Sequence, residues 1–246
     1  MLADPADQRT LLRLADLDSE VARVQHSARS LPQHKSIADL MSARQSVTDE
    51  LVASVTDVDD LSVAVKKAES DLAPVRSRLE RDEQRLADGS VTDSKILRSL
   101  TEEVAHLKRR IASLEDDQLE LMDKLEAATA HREKVAARKT EIEEQLRGEV
   151  TTRDEAVAKL SQEAKDLSAA REPLAKTVPA PLLALYEKYR ASTGLGAALL
   201  QAGRCGGCQL QLNIADMDAY RKAPANQVVR CVECDRILVR TAESGL

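Results

Sequence analysis

The chain has 246 residues, with no Phe, no Trp and three Tyr. A large aromatic-rich core is therefore excluded, because Phe, Tyr and Trp supply the largest buried side-chain areas. No Gly-rich phosphate loop ending in Gly-Lys-Ser/Thr occurs, and no Ser, His and Asp set can be placed in one pocket. His26, His34, His106 and His131 are scattered, with no second histidine at ligand spacing. The chain reads as non-enzymatic. Nothing at the N-terminus resembles a secretory signal, so a cytoplasmic protein is expected.

What is present is charge and helix-forming residues. Charged residues make up 32% of the chain, and Leu, Val, Ala, Glu, Lys and Arg dominate, a composition typical of long helices. Steps of three and four from Leu40 land on Arg44, Val47, Leu51, Ser54, Val58, Leu61, Val65, Ala68, Leu72, Val75, Leu79, Asp82 and Leu86. A second run passes from Leu97 through Leu100, Val104, Leu107, Ile111, Leu114, Gln118, Leu121, Leu125 and Ala128, then becomes more polar through Arg132, Val135, Lys139, Ile142 and Leu146. A sustained 3.5-residue repeat keeps one apolar seam facing a partner helix, the condition for a left-handed coiled coil.

Between the runs, residues 87–94 hold a helix-ending Gly89 and the N-cap candidates Thr92, Asp93 and Ser94. The chain is expected to fold back there into an antiparallel hairpin. Leu14, Leu17, Val21, Val24, Ala28 and Leu31 continue the spacing and should cover the distal part of the second arm. Pro32 should interrupt the first arm, and Pro74 should kink it locally while the heptad phase runs on. The second arm, Thr92 to Arg171, would be about 120 Å long if fully helical, making an elongated molecule. Pro173, Pro179 and Pro181 are expected to end it, with a short extra helix over 181–190 across the hairpin base.

The four cysteines form two matching hooks, Cys205-Gly206-Gly207-Cys208 and Cys231-Val232-Glu233-Cys234. Each hook brings two sulfurs to one tight turn, and two hooks supply the four thiolates of a tetrahedral structural zinc. A redox pair would want a thioredoxin-like context, which is missing, and disulfides suit neither the compartment nor the count. Ala197–Gln201 precedes the first hook, and the runs 227–230 and 236–240 flank the second. These are short β-favouring segments, which together with the hooks read as a zinc ribbon. The expected fold is mainly α: a long coiled-coil hairpin over 1–190 and a small β zinc-ribbon domain over 191–246. One Zn2+ would be held by Cys205, Cys208, Cys231 and Cys234.

These residues carry a resemblance. Cys-Gly-Gly-Cys followed by Gln209-Leu210-Gln211-Leu212, then Val229 to Leu238, after a long hairpin, resembles the bacterial C4-type zinc-ribbon family with a coiled-coil hairpin. The tip segment 81–86 and the run from Leu97 to Leu107 are also similar. Two departures stand out. Asp235 occupies the place where the family usually has Gly, a position that tends to need a left-handed backbone, which Asp tolerates. Val239 stands where the family often has an aromatic. The resemblance implies the fold and the zinc ligands. The family description suggests nucleic-acid binding, and relatives in some flagellated bacteria partner an alternative sigma factor, export components and messenger RNA.

Charge weighs against a phosphate-binding surface. The ribbon's Arg204, Arg221, Lys222, Arg230, Arg236 and Arg240 are nearly matched by Asp216, Asp218, Glu233, Asp235 and Glu243. The pI of about 5.4 is far from the basic values typical of nucleic-acid binders. Arg221, Lys222, Arg230, Arg236 and Arg240 form a patch only if the strands align them, with Tyr220 the sole nearby aromatic. The basic run Lys108-Arg109-Arg110 reads as a solvated coil face. Two functions remain: an adaptor or scaffold that binds protein partners through hairpin and ribbon, and a regulator that binds RNA or DNA through the ribbon. Val52, Val63 and Leu119 fall outside the seam, leaving monomer and dimer both open.

Overall fold

The computed structural model describes residues 1–246. The first helix, α1 (Pro5–Arg29), opens with Asp4, whose carboxylate accepts the Ala6 N–H at 2.7 Å, and with Pro5 in its first turn. After a break of two residues, α2 (Pro32–Ala87) begins at Pro32. The expected interruption therefore falls where proline is best tolerated, at the first helical position, which has no N–H partner to lose. Gly89 adopts φ +67° and ends the arm. Asp93, one of the three N-cap candidates, then accepts from the N–H groups of Lys95 and Ile96 at 2.8 and 3.2 Å and starts α3 (Ser94–Thr177).

Buried positions of the arms fall on the heptad stepping, although Leu97, where the second run starts, is exposed. Val47, Leu72, Leu100, Val104, Leu107, Ile111, Val135 and Ile142 are all buried, and of the polar seam positions Ser54 is buried while Arg44 is exposed. Ser54 Oγ donates back to the Leu51 carbonyl at 2.8 Å, so its hydroxyl is satisfied without a cross-helix partner. Within the unit Lys35–Glu149, ion pairs join the arms: Arg76 with Glu115 at 2.5 Å, Lys108 with Glu83 at 2.8 Å and Arg78 with Glu103 at 2.8 Å. Such exposed pairs add little stability.

Two prolines lie inside helices. α2 continues through Pro74 with Leu72 buried in the seam, as the unbroken heptad implies. Pro173 does not end α3, contrary to expectation; the helix runs on to Thr177. The reason is packing: Ala175 and Val178, just beyond the proline, are buried in the core at the hairpin base, and that burial offsets a lost backbone hydrogen bond. The extra helix, α4 (Ala180–Thr193), is slightly longer than expected and stops at Gly194, whose φ of +79° is open to glycine.

The remaining elements are β1 (Ala197–Gln201), β2 (Arg204–Cys205), α5 (Ile214–Lys222), β3 (Val229–Arg230), β4 (Ile237–Val239) and a closing 3-10 turn (Ala242–Ser244). The sheet order is β2-β1-β4-β3, with β1 and β4 parallel at its centre and an antiparallel partner on each side. The short helix α5 was not anticipated. It fills the spacer between the hooks and is capped by Asn213, which accepts the Asp216 N–H at 2.8 Å. No helix is long and apolar enough to cross a membrane.

Packing divides the chain into Lys35–Glu149 and a second unit, Met1–His34 with Val150–Leu246. In the latter, Leu11 and Leu14 of α1, Ala175 of α3, Leu182 and Tyr186 of α4, Ala197 of β1 and Ile237 and Val239 of β4 share one core. This core includes residues on both sides of the expected boundary at 190/191. Helical periodicity marks where a helix lies, but not which sheet it packs on.

Candidate metal centre

Each hook is a tight turn closed by the same two backbone hydrogen bonds. Gln209 N–H donates to Cys205 O at 2.8 Å and Cys205 N–H to Leu210 O at 3.0 Å; Asp235 N–H donates to Cys231 O at 3.0 Å and Cys231 N–H to Arg236 O at 2.9 Å. The residue after each second cysteine is left-handed, Gln209 at φ +61° and Asp235 at φ +59°. The reading of Asp235 is thus met. Gln209 was missed, although the matching place in the first hook was a signal for it.

The four sulfurs converge. Cys205 Sγ lies 3.8 Å from Cys234 Sγ and Cys208 Sγ lies 3.9 Å from Cys231 Sγ, and all four sulfurs are within 4.8 Å of one another. A tetrahedron with Zn–S bonds of ~2.3 Å has sulfur–sulfur edges of about 3.8 Å. The donor set fits zinc. Cys205 and Cys231 are buried and their partners half-buried.

Burial pushes the Cys231 thiol up to about 12 and raises that of Cys205, whereas Cys234 is lowered. Burial also opposes ionisation of Cys234, but the backbone N–H and guanidinium of Arg236 outweigh it. Gly207 N–H adds a 3.4 Å contact to Cys205 Sγ. A divalent ion at the centre would hold such a thiolate set together, with N–H donors sharing the remaining negative charge.

The candidate contact residues do not form one patch. Arg240 donates to the carbonyls of Tyr220 (2.9 Å), Ala223 (2.8 Å), Pro224 (2.6 Å), Ala225 (3.2 Å) and Gln227 (2.8 Å), tying down the chain that follows α5. Arg236 donates to Thr193 O at 2.8 Å and Leu195 O at 3.1 Å. Arg230 donates to the Tyr189 hydroxyl, lies 5.6 Å from the centre of that ring and is 3.5 Å from Asp235. Arg221 pairs with Asp218 at 2.6 Å, and Lys222 is exposed at the end of α5. Tyr220 turns inward, donating to Arg230 O at 2.6 Å.

Comparison with known proteins agrees with this geometry. Residues 14–194 match the CT398-like coiled coil hairpin domain and residues 204–238 the C4-type zinc ribbon domain. The Mycobacterium tuberculosis protein Rv2229c is 35% identical over 240 residues, covering 98% of both chains, and the Mycobacterium leprae protein ML1638 is 30% identical, covering 91% of this chain and 96% of its own. A solved Mycobacterium smegmatis structure superposes with a TM-score of 0.83 at 34% identity, covering 98% of this chain and 100% of the other. CT398 from Chlamydia trachomatis gives a TM-score of 0.67 at 18% identity, covering 95% of this chain and 97% of its own, a likeness of fold alone. With both matches in the order in which the hairpin and the cysteine hooks occur, the chain belongs to the family of CT398-like coiled-coil hairpin proteins that end in a C4-type zinc ribbon.

Proposed function

We propose that this protein is a non-enzymatic cytoplasmic adaptor, in which Cys205, Cys208, Cys231 and Cys234 hold one structural zinc and the hairpin and ribbon each offer a surface to protein partners. Four thiolates fill a tetrahedral zinc and leave no position for water or substrate. The observation that carries the reading is the use of the ribbon's arginines: Arg236 and Arg240 direct their donors into backbone carbonyls of the fold. A guanidinium committed in this way is a poor phosphate ligand, and phosphate binding needs a concentrated positive footprint. Val52, Val63 and Leu119 are exposed on the hairpin and supply apolar contact area.

Exposed Arg221 and Lys222 support the alternative, nucleic-acid binding through the ribbon. Affinity capture from host cytoplasm with and without nuclease, repeated with a Cys231→Ser variant, separates the two. Proteins retained after nuclease favour the adaptor. Nucleic acid retained by the intact chain, lost from the variant and released steeply by moderate salt overturns it.

A further inference from the structure

We propose that Arg236 is a positioning residue that straps both cysteine hooks to the end of α4, so that metal occupancy of the ribbon controls the order of the hairpin base. Arg236 directly follows the left-handed Asp235 of the second hook, and its backbone carbonyl closes that hook by accepting the Cys231 N–H at 2.9 Å. The same guanidinium reaches Thr193 O at 2.8 Å and Leu195 O at 3.1 Å, the carbonyls on either side of the helix-ending Gly194. On its way the side chain passes over the first hook. A Cβ placed on Gly207 would lie 2.6 Å from Arg236 Cδ and 3.3 Å from Nε, so glycine there leaves the path open. One residue thus closes the second hook through its backbone, passes over the turn of the first and reaches the C-terminal carbonyls of α4.

A second arginine runs parallel to it. Arg230, just before Cys231, donates to the hydroxyl of Tyr189 in α4 and faces its ring, while pairing with Asp235 at 3.5 Å. Both arginines flank the second hook and both reach α4. Four thiolates around one zinc carry a formal charge of minus two. A guanidinium held beside the hooks offsets that charge and favours retention of the metal. With the hooks released, Arg236 loses the backbone geometry that aims it at Thr193 and Leu195. The α4 terminus then frays.

The test uses the full-length protein loaded with zinc. Arg236→Gln should release zinc to a chelator about tenfold faster, as expected for loss of a charge-assisted hydrogen bond. Its Co2+-substituted form should show shifted sulfur-to-metal charge-transfer bands, and Arg236→Lys should restore most of the retention. Gly207→Ala, which obstructs the path and keeps the charge, should produce the same spectral shift, and it serves as the reporter if Arg236→Gln does not fold. In the unsubstituted protein, zinc removal should raise amide exchange over 189–196 while residues 100–140 keep their protection. Wild-type release rates and bands in both variants overturn the link between Arg236 and the hooks. Exchange over 189–196 that ignores metal removal overturns the strap.

Discussion

The hydroxyl of Tyr186 donates to the carboxylate of Asp18 at 2.6 Å across 168 positions of sequence. Arg171 reaches the same carboxylate through Nε at 2.6 Å and a terminal nitrogen at 3.2 Å, and Arg190 adds a contact at 3.2 Å. Glu187 accepts from both arginines. α1, α3 and α4 therefore meet at one buried carboxylate, with no buried side-chain polar atom left unpaired. Breaking such a site by removing one partner costs more than the intact site contributes. Asp18→Ala should destabilise the protein by about 3–5 kcal/mol, measured by urea unfolding. Asp18→Asn, which keeps some acceptor capacity, should cost less. Equal stability of Asp18→Ala and the parent would refute this account.

The same cluster sets a pH dependence. Burial raises the Tyr186 phenol, reinforced by the hydrogen bond to Asp18. The fold therefore favours the protonated phenol, and that contribution is present below the ordinary value of 10.0 and lost as pH rises toward the raised one. Glu187 behaves oppositely: burial opposes its charge, but Arg171 and Arg190 win and lower it. Its contribution is present above the ordinary 4.5 and lost as pH falls through the lowered value. Tyr186→Phe should remove the alkaline limb, and Glu187→Gln should weaken the acid one. Unfolding free energies collected from acid to alkali for the three proteins check both signs.

Much of this fold was legible in the sequence because heptads and cysteine spacing are local patterns. Steps of three and four find the buried Val47, Leu72, Leu107 and Ile142, and Asp235 could be assigned a left-handed backbone from its place after a hook. The Asp18 cluster was not legible, because a charged residue on an amphipathic helix looks solvated until the helix packed over it is known. Side-chain direction was also hidden: whether Arg230, Arg236 and Arg240 converge could not be read from the sequence, and they turn into three different sets of partners. Helix α5 announced itself only weakly, through Asn213 three residues before Asp216 in a segment that could also have been loop.

Gly196 sits between α4 and β1, where a Cβ would lie 2.4 Å from the Tyr186 carbonyl oxygen and 2.6 Å from its ring. Neither neighbour can give way, since Tyr186 is fully buried and tied to Asp18. Gly196→Ala should cost about 1–3 kcal/mol as overpacking. Thermal unfolding of the zinc-loaded protein measures it, and an unchanged midpoint would show that β1 can shift away from α4.

Arg240 gives a direct separation of structural from nucleic-acid roles. Its guanidinium holds five carbonyls between Tyr220 and Gln227, and burial lowers its pKa. Arg240→Ala should leave those carbonyls short of donors and raise amide exchange over 220–228, with a stability loss of about 2 kcal/mol. A variant with parent-like exchange and stability but weakened nucleic-acid binding would instead make Arg240 a contact residue.

Metal removal tests how far the ribbon's influence extends. In a bead-like arrangement, Cys234→Ser would unfold the ribbon and spare every helix. The packing argues for a different boundary: Ile237 and Val239 of β4 share a core with Leu11 and Leu14 of α1 and with Tyr186 of α4. A small β domain depends on its metal for folding, so losing one ligand should remove the sheet face on which these helices rest. Amide protection should then fall over α1, α4 and the end of α3, while Lys35–Glu149, a compact unit with its own seam, stays protected. Far-UV circular dichroism should drop only partly, because most of α2 and α3 remains. Loss of protection confined to 197–246 would restore the division at residue 190, and loss throughout the chain would mean that the arms need the ribbon to fold.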